Sequence, residues 1–336
     1  MGLPEGARPS NCFASQRRLK QDGLMQVLRS ISELSFIRKP LVLAIGVFDG
    51  LHRGHQSVLH RAVLEALRVN GVAVPLTFDP HPARVLSPDR APLLLTAQEH
   101  KIHLLAAMGF NHTLVLPFTA EVAATDASDF VTSLATASHS LSAICVGNRW
   151  SFGKGRKGNL ALLQELGPLH NFEAIGVSEL IDVEDPVSST RVRQAVAAGD
   201  LMLARTLLGR PYAVLGTVVE GRRIGRTIGF PTANLNLFNE QLPPLGVYAV
   251  KARRISSGAP IDGIANLGFR PTLGEVEATP TLEVHLFHFN EECYGELLEV
   301  DFIQFLRTEQ KFPDLNQLSH QIKLDKANAI KALFEA

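Results

Sequence analysis

"PLVLAIGVFDGLHRGHQSVLHRAVLEALRVNG" (residues 40–71) decides the fold. Its first nine residues form an apolar run of strand length, and Asp49–Gly50 supplies a turn. From Gly54 onward the apolar residues recur at helical spacing, and Gly71 closes the segment. The pattern predicts a buried strand over 40–48 joined by a tight turn to a helix over 54–71. His52 and His55 lie at the start of that helix, where residues three apart share a face. Backbone N–H groups there are unsatisfied and the dipole is positive, so an anion is favoured. A catalytic zinc site takes three protein ligands, and its helical histidine pair is spaced by four around a glutamate. The stretch has neither. Two histidines that merely pack in a core are the plain alternative for such a pair, and the strand–turn–helix setting favours the anion.

Outward from this unit the alternation continues. Residues 72–78, 112–118, 142–147 and 171–180 read as strands; 97–111 and 127–138 read as helices. Repeated strand–helix–strand units predict a doubly wound parallel sheet, whose ligands bind beyond the carboxyl ends of the strands. Residues 188–209 are helical and divided by Gly199. After "GRPY" (209–212) the character changes to short β-branched and aromatic runs: "AVLGTVVEG", "LGVYAVKARR", "IDGIANLG", "PTLEVHLFHF" and "GELLEVDFIQFL". These predict a small antiparallel barrel or sandwich, closed by a terminal helix over 312–336. The division expected is an extension over 1–37, an α/β domain over 38–209 and a β domain over 210–336.

The 336 residues exceed what one hydrophobic core usually spans. Lys+Arg and Asp+Glu both number 33, so no broad capture of nucleic acid or membrane is expected. Cys12, Cys145 and Cys293 form no CxxC pair, which fits a reducing cytoplasm. No apolar run approaches the roughly 18 residues of a membrane span. The first twenty residues have several arginines and serines and one acid, Glu5; Gly6 stands where myristoylation needs Ser or Thr. Such a composition fits a cleaved organelle-targeting segment, and a poorly ordered native extension is the favoured reading. "GKGRKG" (153–158) matches GxGxxG but does not directly join a strand to a helix, and it reads as a basic loop rather than a dinucleotide fingerprint.

"GVFDGLHRGH" (46–55) resembles the signature of the HxGH nucleotidyltransferases. Further stretches are "TFDPHPARVL" (77–86), "FGKGRKGN" (152–159), "SSTRVR" (188–193), "GRTIGFPTANL" (225–235), "GVYAV" (246–250), "NLGFRPT" (266–272) and "TLEVHL" (281–286). In order and spacing, from about residue 42 to the end, the chain resembles the prokaryotic bifunctional riboflavin kinase/FAD synthetases.

The resemblance implies that His52 and His55 hold ATP phosphates, with Arg191 adding charge. Gly46, Phe48, Asp49, Gly50, Gly54, Ser189 and Thr190 complete the nucleotide site, and Asp79 and His81 belong to a flavin-contacting loop. His81 reads equally as a turn residue set by its flanking prolines. FMN phosphate would attack the α-phosphorus of ATP, and pyrophosphate would leave. In the second domain, Thr232 and Asn234 would bind Mg2+ and, with Gly225, Gly229 and Pro231, the ATP phosphates. Glu283 would be the base for the riboflavin 5′-hydroxyl, on an inward-facing strand position, and Arg270 a flavin contact. Arg222, Arg223 and Arg226 read as a solvated turn or a phosphate contact. ATP is then co-substrate, and FMN and FAD are products rather than prosthetic groups. A cytoplasmic monomer or weak homo-oligomer is expected, bound to neither nucleic acid nor membrane.

Two departures stand out. "GNRWSFG" (147–153) places Arg149 where the family has an acid or amide and Trp150 for phenylalanine, and His288 stands where an acid is usual. A kinase with an impaired adenylyltransferase, and a non-catalytic flavin- or RNA-binding regulator, are the alternatives. Neutral charge and the absence of a long basic, aromatic-laced surface argue against RNA.

Overall fold

The structure, a computed structural model, describes residues 25–183, 185–221, 225, 229–255, 258–269 and 280–335. The expectations at Arg222, Arg223, Arg226 and Arg270, and the extension over 1–24, lie outside the described residues. The chain divides into two compact units. The first comprises residues up to Val47, Val58–Asp89 and Ile102–Ser178; the second comprises Phe48–Ser57, Arg90–Lys101 and everything from Glu179 onward.

The first unit is built on six parallel strands: β1 (Gln26–Leu28), β2 (Leu41–Ile45), β3 (Val72–Asp79), β4 (His112–Pro117), β5 (Leu141–Gly147) and β6 (Glu173–Val177). Their order is β1-β4-β3-β2-β5-β6. The helices of this stretch of chain are α1 (Arg53–Arg68), α2 (Pro82–Leu86), α3 (Gln98–Ala107), α4 (Ala120–Ala124), α5 (Ala127–Ala137) and α6 (Leu160–Leu169). All five residues of β2 are buried, as a central parallel strand requires. Strand order reverses at β2, so the chain leaving that strand starts at the topological switch point, the usual ligand position in such sheets. The five-residue helices α2 and α4 escaped the sequence reading, and so did three further features. β1 has only three residues, α6 follows the basic GKGRKG turn, and β7 (Ile181–Asp182) with β8 (Asp185–Pro186) is a two-rung hairpin. All are too short or too weakly patterned for periodicity to register.

β2 also ends earlier than its apolar run. Gly46 still donates to the Leu76 carbonyl, but Phe48 takes a left-handed conformation (φ 53°) and Asp49–Leu51 wind into a single 3₁₀ turn before α1. Apolar residues over 46–48 therefore belong to the turn. Hydrophobicity alone does not distinguish the two.

The second unit opens with α7 (Ser189–Ala198) and α8 (Leu201–Leu208), divided by Gly199 at φ 76°. A closed antiparallel barrel follows, of β9 (Tyr212–Val219), β10 (Ala233–Leu237), β11 (Gly246–Arg254), β12 (Pro260–Phe269), β13 (Pro280–Leu286) and β14 (Leu297–Arg307). They close in the order β10-β13-β12-β11-β14-β9, which settles barrel over sandwich. Val192, Val196 and Leu207 of the two helices share one core with Tyr212, Leu282, Val284 and Val300 of the barrel. The terminal helix α9 (Leu315–Glu335) packs Ala329, Ala332 and Leu333 on Ala249 and Ile264. Arg307 clamps it by a two-pronged pair to the buried Asp325, at 2.9 and 2.8 Å.

Candidate active sites

The turn at the head of α1 is tied down on every side. Asp49, 2% exposed, accepts hydrogen bonds from the Leu95 amide (3.2 Å), the Thr96 amide (3.0 Å), the Thr96 hydroxyl (3.1 Å) and the Arg193 guanidinium. Its carboxylate is thus engaged by the protein and positions the loop. Gly50 donates to the Thr96 hydroxyl (3.0 Å), and its φ of 80° with Leu95 packed against it leaves no room for a side chain. Three successive carbonyls are also held. Asp49 O accepts from Ser189 (2.9 Å), Gly50 O from Arg210 (3.0 Å), and Leu51 O from Gln56 (2.8 Å) and Arg210 (3.4 Å).

This scaffold presents His52 and His55 as a stacked pair, ring centres 3.6 Å apart and planes within 20°. Phe48 meets His55 edge-on at 5.4 Å. Gly54 packs closely here: a Cβ would lie 3.2 Å from the His52 ring and 3.3 Å from the Val187 carbonyl, so those neighbours would have to shift. The His55 amide donates to His52 Nδ1 (3.3 Å), so the neutral ring carries its proton on Nε2, a donor suited to a phosphate oxygen. His55 Nδ1 is buried and has no hydrogen-bond partner among the described residues. Burial, opposed by Asp49 and reinforced by Arg210 and Arg193, pulls the His52 pKa down to about 4. Burial, then His52, Lys101 and Arg193, holds His55 well below its ordinary value. Two neutral imidazoles, hemmed by cations and with nitrogen atoms unused, form a site that gains by taking up an anion.

The other residues expected at this site are placed as follows. Ser188 caps α7 by accepting from the Arg191 amide (3.3 Å), while the Arg191 side chain donates to the Asp185 carbonyl (2.9 Å) and pairs with Asp182 (3.4 Å). Thr190 is exposed in the first turn of α7. Asp79 is exposed at the end of β3, and His81 caps α2, its Nδ1 accepting from the Ala83 amide (3.1 Å). Arg149 is exposed in the turn after β5, next to Asn148, whose amide donates to the Val177 carbonyl (3.0 Å). The basic GKGRKG stretch closes as a hairpin through Phe152 and Gly158 (3.0 and 2.9 Å), with Trp150 stacked on Phe152.

A second constellation lies on the barrel. Asn234 of β10 and Asn266 of β12 stand directly opposite Glu283 of β13, one on each side. Directly opposed residues share a face, so the three polar side chains form a row across three strands. Glu283 does not face inward as the sequence suggested. Leu282, Val284 and Leu286 fill the core, and strand alternation puts Glu283 on the opposite face. Gly225 accepts from the Phe230 amide (2.7 Å), and Gly229, shortly before β10, has φ 83°. His285 Nδ1 donates to the Pro231 carbonyl (2.8 Å) and its ring meets Phe230 edge-on. Beside this loop an open cleft of about 200 Å³ is lined by Pro231, Thr232, Val284, Leu286, Phe289 and Tyr294. Its far wall is clamped by Arg254, which pairs with Glu296 (2.7 and 3.0 Å) and Glu291 (2.5 Å). His288, in the left-handed region at φ 57°, is exposed just before Phe289 in the chain.

Residues 35–191 match the FAD synthetase family and residues 208–333 the riboflavin kinase family. The bifunctional riboflavin kinase/FMN adenylyltransferase of Escherichia coli K12 is 37% identical over 306 residues, 91% of this chain and 97% of its own. The Bacillus subtilis 168 protein of the same description is 36% identical over 294 residues, 86% and 92%. This chain belongs to the bifunctional riboflavin kinase/FMN adenylyltransferase family. Among solved structures it is similar to a macrolide-efflux protein from Streptococcus pneumoniae (29% identity, TM-score 0.76, 90% of this chain and 97% of that one). Among the described residues no helix is long and apolar enough to cross a membrane.

Within this family member, sequence reasoning missed Arg193, Arg210 and His285. Arg193 and His285 stand inside quoted motifs, and Arg210 begins "RPY" (210–212). Nothing local marks them, because each acts on chain distant in sequence: Arg193 on Asp49, Arg210 on Gly50, His285 on Pro231.

Proposed function

We propose that the two reactions of this family run at the two constellations above, with residues 38–209 serving adenylyl transfer and 210–336 serving phosphorylation. The chain phosphorylates riboflavin to FMN and joins FMN to AMP, giving FAD, with ATP as co-substrate of both steps. The stacked His52–His55 pair, neutral and partnered on one nitrogen only, carries the assignment of the first site.

In adenylyl transfer a phosphate oxygen of FMN attacks the α-phosphorus of ATP, and the α–β bridging bond breaks to release pyrophosphate. His52 Nε2–H and His55 donate to phosphate oxygens, and their pKa values rise as negative charge arrives, so charge accumulating in the transition state is neutralised in place. Gly46, Phe48, Gly50 and Gly54 let the chain approach the nucleotide, and Asp49 with Ser189 holds the turn that presents the histidines. Thr190 and Arg191 flank the phosphates from the start of α7, and Asp79 and His81 contact the flavin from the loop after β3.

In phosphorylation the riboflavin 5′-oxygen attacks the γ-phosphorus, its proton passes to Glu283, and ADP leaves. Asn234 and Asn266 flank that carboxylate on the two neighbouring strands. Gly225, Gly229 and Pro231 shape the loop that receives the ATP phosphates. The hydroxyl of Thr232 and amide oxygen of Asn234 are hard donors that suit Mg2+, which binds through few protein ligands together with substrate phosphates; when bound it supplies charge neutralisation at those phosphates. The enzyme is read as cytoplasmic, a monomer or weak homo-oligomer, without nucleic-acid or membrane partners.

The test separates the two half-reactions. Glu283→Gln is expected to abolish FMN formation from riboflavin while FMN and ATP still give FAD, both read by chromatography of the flavins. Loss of both activities in a folded variant overturns the two-site assignment. The wild-type FMN-to-FAD rate also shows whether Arg149 impairs adenylyl transfer.

A further inference from the structure

A buried ionic cluster in the second unit is used by neither reaction. The outer face of β14 carries Glu299, 4% exposed, and Asp301, on either side of the core residue Val300. Arg253 stands opposite Glu299 on β11, with Nε 3.5 Å from its carboxylate and Nη2 3.3 Å from Asp301. His100, fully buried at the start of α3, places Nε2 2.9 Å from Glu299. Arg210 lies in the field of both carboxylates, which counter the cost of burying its guanidinium. Burying a charge without compensation is costly, and the attraction of the two carboxylates offsets part of that cost.

That arginine faces the other reaction. Its two terminal nitrogens reach the Gly50 and Leu51 carbonyls, the two residues before His52. We propose that Arg210, its buried charge countered by the nearby carboxylates of the barrel, is a positioning residue for adenylyl transfer: it fixes the Gly50–Leu51 turn so that His52 and His55 stack at the angle the nucleotide requires. The barrel thereby carries part of the adenylyl-transfer apparatus without touching either substrate of that step. The inference rests on the assignment of His52 and His55 above.

Arg210 also bears on the charge state of His52. Asp49 favours the imidazolium, while Arg210 and Arg193 disfavour it, and Lys101 with Arg193 acts likewise on His55. Removing Arg210 therefore raises the His52 pKa from about 4, an effect that a merely structural residue lacks.

The experiment compares full-length Arg210→Met, Arg210→Lys and Glu299→Gln with His52→Ala. Initial rates are measured for FMN adenylylation and for riboflavin phosphorylation, and the His52 titration is followed by NMR. Arg210→Met is expected to lower adenylylation kcat at least tenfold, leave phosphorylation within twofold, and move the His52 titration upward. Arg210→Lys, keeping the charge and one carbonyl contact, restores part of the rate and keeps the titration low; Glu299→Gln lowers adenylylation in the same selective way. Unchanged adenylylation with an unmoved His52 titration overturns the proposal, as does an equal fall of both activities in Arg210→Lys. If His52→Ala itself retains full adenylylation, the histidine assignment fails instead, and the two failures are distinguishable.

Discussion

At the scale of single residues, the chemistry turns on keeping side chains neutral or charged where water would not. His52 is neutral in the free protein because burial outweighs the pull of Asp49, and His55 because burial is reinforced by His52, Lys101 and Arg193. A polyphosphate that binds them reverses that balance, so nucleotide binding takes up protons near pH 6. Titration calorimetry in buffers of different ionisation enthalpy is expected to give an observed enthalpy that varies with the buffer at pH 6 and loses that variation in His52→Ala/His55→Ala. Buffer-independent binding in the parent protein contradicts the assignment. Glu283 shows the complementary limit of reading residues one at a time. Its place in "TLEVHL" was legible, but the face it occupies was not, because only the filled positions of Leu282 and Val284 assign the two sides of β13.

Elements matter here as clamps. The 3₁₀ turn at 49–51 has little internal bonding and is shaped by what reaches it from 93–96, α7 and the chain before β9. Asp49→Ala strands the Arg193 charge and leaves two buried amides unpaired; a loss of about 3–5 kcal/mol in unfolding free energy is expected by denaturant titration. Gly50→Ala, forcing a Cβ toward Leu95 at positive φ, is expected to cost about 1–3 kcal/mol and to lower the melting temperature. Gly54→Ala disturbs the His52 ring directly, so its effect should fall on adenylylation more than on stability. Elements with strong periods, such as α1, β3 and the barrel strands, were legible to within a few residues. β1 and the β7–β8 hairpin were not, since each is short and held by tertiary pairing, and α6 was not, since its apolar residues are weakly patterned.

For the whole molecule, pH sets stability through buried imidazoles. His52, His55, His100 and His285 all have pKa values lowered by burial, His52 from 6.5 to about 4. A group with a depressed folded pKa binds more protons in the unfolded chain, so stability rises with pH across the interval between the two values. The melting temperature is expected to fall progressively from about pH 6.5 toward pH 4, and His100→Asn or His285→Asn should flatten that slope. The sequence by itself determined the parallel sheet, an antiparallel second domain, the HxGH turn and the family, because periodicity and contiguous motifs are local properties of the chain; closure of that second domain into a barrel was decided by strand pairing. The tertiary structure alone decided which side chains are spent on holding others: Asp49 on the 93–96 loop, Arg210 on the Gly50 and Leu51 carbonyls, His285 on Pro231. Those bonds join residues 47 to 160 positions apart. No spacing in the sequence encodes them, since they exist only once burial has removed water as the competing partner.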